Sequence, residues 1–186
     1  LMEFLQFFSY FSLNECSLKA NSWLTLLSYV HIALQPAFIA LFLMTLSPKK
    51  LSPKARKVMY GFALACSGLM LLRLVPIVPG ALCAIGSTMC GRMLCTTQGN
   101  WHLAWSVPQY VWPVPGDLLL YHALGSFAVP LWYRQWQGVL MTFATGPVLG
   151  FALAGGNPLE WPSIWCLYSV AIIVVAIGMN WRKLLP

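Results

Sequence analysis

Charge is scarce in this sequence. Only 8% of its 186 residues are Asp, Glu, Lys or Arg, where a water-soluble domain carries about a quarter. That excludes an ordinary soluble globule. Four residues are acidic, and eleven Lys and Arg leave a net charge of +7. The basic residues are too few, and too confined to segments between apolar runs, to build a nucleic-acid surface. Histidine is scarcer still. Three residues cannot fill the multiple-histidine boxes of membrane di-iron enzymes. No Cys-x-x-Cys-His occurs, so covalently attached c-type haem is not indicated. No GxxxxGK[ST] loop occurs either, so ATP is not expected. The last apolar run has no lysine for a retinal Schiff base.

Apolar residues are abundant: 59% of the chain, with a mean hydropathy of +0.72. Six apolar runs stand out, at residues 1–13, 22–47, 56–78, 116–133, 136–154 and 161–180. A span takes roughly 20 such residues. Helices are the expected form, because a backbone in lipid must satisfy its own hydrogen bonds. Lipid-facing strands would instead alternate over about 10 residues. The predicted fold is an all-α, polytopic transmembrane bundle, one domain over 1–186. The first run is short for a span. It is expected to be the end of a helix that starts upstream, with a seventh helix before it. It does not read as a signal peptide, since it lacks a basic start and Glu3 interrupts it.

Basic residues set the predicted orientation. Lys49, Lys50, Lys54, Arg56 and Lys57 lie between the second and third runs, Arg134 between the fourth and fifth, and Arg182 and Lys183 at the end. Alternate connections share a side, so these fall together. The opposite side has Lys19 and Arg92 against Glu15, Asp117 and Glu160. The expected placement is the bacterial inner membrane, with a cytoplasmic C-terminus and segment 79–115 facing outward. The charge then serves orientation and contact with anionic lipid. Trp23, Trp132, Trp136, Trp161 and Trp181 fall near run ends, where indole favours the head-group layer.

Four cysteines, Cys16, Cys83, Cys90 and Cys95, face outward on this topology. In an oxidising compartment they predict two disulfides, with three possible pairings. The competing reading joins Cys83, Cys90, Cys95 and His102 as a metal site, but the spacing is not a usual zinc pattern. Residues 99–113 are too polar and too proline-broken to span. Trp101 and Trp105, four apart, would share a helical face. With His102 they predict an interfacial helix or lid on the outer leaflet.

Ionisable groups inside a membrane are costly, so each is a candidate site. Glu3, Gln6 and Tyr10 recur at helical spacing in the first run, and Ser28, His31 and Gln35 in the second. Counting from the outer ends puts Glu3 and His31 at similar depth, roughly 14 Å in. They form a candidate intramembrane pair with Gln6 and Gln35 around it. Arg73, Asp117, Tyr121 and His122 form a shallower outer cluster, either an anion pocket or gate, or a structural Arg73–Asp117 ion pair. Gly138, Thr142, Gly146 and Gly150 repeat every four residues, followed by Ala154. Such a stripe lets another helix approach closely. Two weak patterns remain: His31 with His122 as axial haem ligands, and Cys66-Ser67-Gly68 with His122 as a serine nucleophile and base.

Three stretches resemble a family of bacterial multi-pass membrane proteins without an assigned function. They are the run from Leu26 to Pro36 (LLSYVHIALQP), Leu94-Cys95 with Gly99-Asn100-Trp101-His102-Leu103-Ala104-Trp105, and Glu160-Trp161-Pro162 with Trp165-Cys166-Leu167. The resemblance covers most of the chain. It implies seven helices, the first preceded by a short Cys-Trp-Ser segment, and carries no activity. The leading expectation is a non-enzymatic accessory or ligand-binding subunit whose partners are the bilayer and other membrane subunits. The alternatives are a proton- or cation-coupled transporter or channel using Glu3 and His31, and an oxidoreductase binding haem, quinone or metal through His31, His122 and His102.

Overall fold

The computed structural model describes residues 2–46, 52–76, 81–111, 116–132, 134 and 136–184. Lys49, Lys50, Trp112 and Pro113, with the ends of the 79–115 segment, lie outside these. The described chain is mostly helical. Helix α1 (Met2–Ser9) runs into a 3₁₀ turn (Tyr10–Ser12), followed by α2 (Lys19–Leu46) and α3 (Pro53–Leu72). A two-stranded antiparallel hairpin, β1 (Cys95–Gln98) and β2 (Leu103–Ser106), comes next. Then come α4 (Leu118–Trp132), α5 (Trp136–Phe143), a π turn (Ala144–Val148), α6 (Leu149–Ala154) and α7 (Trp161–Leu184).

Local chemistry sets the helix ends. Ser52 caps α3, its Oγ accepting from Ala55 N at 3.2 Å, with Pro53 in the first turn. Asp117 does the same for α4, accepting from Leu120 N at 2.9 Å. Gly155 closes α6 at φ +58°, a left-handed stop that glycine adopts without a side-chain clash. Pro147 lies in the π turn. Its missing N–H breaks the ordinary ladder there, so run 136–154 is one interrupted helix.

The helices meet at one end. Helix α2 starts under the hairpin and α3 returns to it, where Arg73 O accepts from Tyr110 N at 2.7 Å. Helix α4 leaves again, α6 returns with Ala154 O accepting from Asn100 Nδ2 at 2.7 Å, and α7 starts there. This end carries a cap built from residues 81–111. The first helix reaches it too: Asn14, at φ 65°, donates its N–H to Thr96 O at 3.2 Å. Buried Asn21 of α2 donates to Thr96 O and accepts from Thr96 N, at 2.9 and 2.8 Å.

Two disulfides staple the cap, Cys16–Cys95 and Cys83–Cys90, using all four predicted cysteines. This displaces the metal reading of Cys83, Cys90, Cys95 and His102, because the three sulfurs are consumed. The core is continuous through both parts: Met89, Leu103, Trp105 and Val107 of the cap pack with Tyr29, Ile32, Met70 and Cys166 of the helices.

The all-α expectation needs correction, because the cap contains a sheet. The interfacial lid is also corrected. Trp101 and Trp105 share no helix: Trp101 lies in the hairpin turn, and Trp105 on β2 is fully buried. An indole four residues from another reads as a helical face only while the intervening chain is helical. Here Gly99 N donates to His102 O at 2.7 Å, which closes a turn instead. Among the described residues two helices, α2 and α3, are long and apolar enough to cross a membrane.

Candidate functional site

Gly146 and Gly150 let α7 come close. A Cβ on Gly146 would sit 2.4 Å from the Trp165 ring, and one on Gly150 3.6 Å from Trp161 O. At these two positions the small stripe is covered within the chain by α7. Gly125 does the same for α4 against α2 and α3, where a Cβ would lie 2.6 Å from Pro36. Between these close contacts the helices diverge, and a cavity of about 770 Å³ opens. Ile32 and Gln35 of α2 line it, with one face of α4 (Leu118, His122, Phe127 and Leu131 among them). Phe143, Pro147, Val148 and Phe151 close another side, and Trp161 and Trp165 of α7 the back.

Its walls are aliphatic and aromatic with few polar exceptions. His122 is 2% exposed and stacks edge-to-face on Trp165 at 4.5 Å. Its Nε2 lies 2.9 Å from Gln35 Oε1. An amide oxygen only accepts, so Nε2 carries the proton and Nδ1 is left with a free lone pair. That Nδ1 has no hydrogen-bond partner, and neither has the buried Trp161 Nε1.

Gln35 also lines a second cavity, of about 360 Å³, with Glu3, His31, Thr142, Cys166 and Ser169. The structure thus brings Glu3 and His31 to one space. No ion pair joins them, and Glu3 Oε1 is buried without a partner.

Gln6 and Tyr10 are held elsewhere. His102 sits between them, its Nε2 2.9 Å from Gln6 Oε1 and its Nδ1 2.8 Å from the Tyr10 hydroxyl. Gln6 Nε2 donates to Ser163 O at 3.2 Å. The same amide logic puts the His102 proton on Nε2, and Tyr10 donates to Nδ1. Burial pushes the His102 imidazole below its ordinary pKa, with the Glu160 charge pulling the other way.

The outer cluster divides. Arg73, buried, donates to Gly116 O and lies over the Tyr121 ring at 5.7 Å. The Asp117 side chain caps α4, so the predicted Arg73–Asp117 pair is not made. His122 turns away to Gln35. Ser67 Oγ is buried without a partner, so the serine–histidine pattern forms no hydrogen-bonded pair. Among the described residues no three His, Cys, Asp or Glu side chains gather as a metal set.

Sequence reasoning missed Glu160 as a structural centre. It is fully buried, and its carboxylate accepts the main-chain N–H groups of Asn100 and Trp101, each at 2.7 Å, and of His102. Gly99 makes room: a Cβ there would lie 2.4 Å from the Glu160 carboxyl carbon. The available signal was a lone acid just before a proline-started helix, paired with a Gly-Asn turn.

A profile of the family of unknown function DUF5765 matches residues 1–186, so the chain belongs to that family. No curated protein and no solved structure matches it.

Proposed function

We propose that this DUF5765 member is a multi-pass integral membrane protein acting as a non-enzymatic, ligand-binding subunit. The large cavity holds a lipophilic molecule. One observation carries this reading: about 770 Å³ of apolar space lined by α2, α4, the π turn, α6 and α7. Ligand sites commonly have this volume, apolar walls and a few placed polar groups. Leu131, Phe143, Val148 and Phe151 on its lining are exposed. In a bilayer they would meet acyl chains and give lateral access.

The membrane placement rests on three supports. Helices α2 and α3 have the length and hydropathy to cross. The disulfides belong to an oxidising compartment, and basic residues concentrate away from the cap. The proposed arrangement is one domain with six spans, the cap outside and the C-terminus in the bacterial cytoplasm.

The test is native mass spectrometry of the full chain extracted gently from its membrane. A lipophilic mass should survive delipidating washes and disappear in Ala123→Phe, which fills the cavity. Bare protein, or a mass retained equally by the variant, overturns the reading. Co-extracted subunits would identify the complex it serves.

A second reading, proton- or cation-coupled translocation, draws on the unpartnered Glu3 Oε1, on a side chain that lines the smaller cavity together with His31. It requires that Glu3→Gln and His31→Ala reduce flux in proteoliposomes. Unchanged flux removes it.

A further inference from the structure

We infer that the large cavity holds a hydrocarbon chain of a bilayer lipid, entered from the side, and that Trp165, with Gln35 beside it, sets the longest chain admitted. This rests on the ligand-binding reading above and names the ligand class and the residue that limits it. Among the described lining residues none is Lys, Arg, Asp or Glu. The ring nitrogens of His122 and Trp161 offer it nothing either. His122 Nε2 is spent on Gln35 Oε1 at 2.9 Å, and His122 Nδ1 and Trp161 Nε1 are sealed inside the protein. A head group drawn in would lose its hydration without a compensating bond, whereas hydrocarbon has no such cost. The rim agrees: Leu131, Phe143, Val148 and Phe151 line the cavity and are also exposed. A chain can pass over them from the bilayer while its head group stays outside.

Gln35 and Trp165 line both cavities, and no other described residue does. They are therefore the partition between the large space and the smaller one of about 360 Å³. A chain entering over the rim runs toward this partition, because Trp165 closes the back. The indole is wedged there. It is buried, His122 stacks edge-to-face on it at 4.5 Å, Phe127 lies at 6.4 Å, and Gly146 leaves the space that the ring fills. A wall packed this closely resists added volume, so it ends the chain at a definite length. Behind it, Met2 and Cys166 are buried and line the smaller cavity alone. They report whether a chain end has crossed.

The experiment uses the full chain in nanodiscs carrying phosphatidylcholine probes that differ only in the length of one chain, each with a diazirine at that chain's end. Crosslinked residues are mapped by mass spectrometry. In the wild type, labelling of Phe127 should rise with chain length to a limit. It should then fall about tenfold for each further methylene, the cost of one methylene too many in a fixed apolar pocket. In Trp165→Ala the limit should move to longer chains, and those chains should newly label Met2 and Cys166. Adding Ala123→Phe to that variant should remove the new label, which shows that it came through the large cavity. Trp165→Leu, a smaller deletion, should move the limit less, and it carries the test where Trp165→Ala does not accumulate. One length profile for the wild type and the Trp165 variants overturns the assignment of Trp165 while leaving a lipid cavity. If Phe127 is unlabelled at every length, or is labelled equally in Ala123→Phe, the ligand-binding reading fails and this inference fails with it.

Discussion

The Glu160 carboxylate and the main-chain N–H of His102 form a direct hydrogen bond, and the N–H groups of Asn100 and Trp101 converge on the same carboxylate. Three successive N–H groups make an anion nest, filled here by a side chain from the start of α7. The hairpin turn and the last helix are therefore one unit.

Removing that carboxylate should loosen the cap. Glu160→Ala strips the acceptor from three N–H groups, two of them with partly buried partners. An unsatisfied buried donor costs about 1–3 kcal/mol. The expected loss is about 3 kcal/mol, or roughly 10 °C in the unfolding midpoint of a chain this size. Glu160→Gln keeps one acceptor oxygen and should lose less. Thermal unfolding in detergent measures both, and an unchanged midpoint in Glu160→Ala would contradict the nest.

The two disulfides should contribute unequally. Cys16–Cys95 closes a separation of 79 residues and Cys83–Cys90 only 7. By loop-closure entropy the first is worth about 4 kcal/mol and the second about 2. Paired Cys→Ser variants should rank in that order in denaturation midpoints. The reverse ranking would mean that the short link constrains the native cap more than the unfolded chain.

Apolar runs and basic connections were readable because both are properties of continuous segments. The helix positions, the cap and the four disulfide cysteines follow from them. The hairpin was hidden because its stability is non-local. Thr96 depends on Asn21, and the turn depends on Glu160, sixty residues away. His102 read as part of an interfacial lid or as a candidate metal ligand, since neither Gln6 nor Tyr10 is near it in sequence. Helical spacing grouped Glu3, Gln6 and Tyr10, but not what they would meet: Gln6 and Tyr10 reach His102, while Glu3 lines the smaller cavity. The His122–Gln35 bond was likewise invisible, because it depends on how α4 crosses α2.

Acid should weaken the cap through His102. Burial lowers its pKa in the folded protein, against an ordinary value near 6.5. The unfolded chain then binds the proton first, so folding stability is complete above about pH 6.5 and declines as pH falls below it. Protonation would also put a hydrogen on Nδ1, opposing the Tyr10 hydroxyl that donates there. The unfolding midpoint of the wild type should therefore drop between pH 7.5 and 5. In His102→Gln that drop should shrink, with a lower midpoint at pH 7.5. Parallel curves for the two proteins would assign the acid sensitivity to other groups.

Orientation can be read with two exposed positions on opposite ends of the bundle. Gln98 sits on the hairpin and donates its main-chain N–H to Asn14 Oδ1, so its side chain is free to change. Lys54 lies in the first turn of α3, at the end away from the cap. Cys66 and Cys166, the free thiols, are buried and should remain silent. A membrane-impermeant maleimide applied to intact spheroplasts should label Gln98→Cys at once and Lys54→Cys only after lysis. The opposite pattern would invert the chain, put both disulfides in a reducing compartment and break the basic-side rule. Labelling of both before lysis would mean that no bilayer separates the two ends, and the multi-pass reading would fall with it.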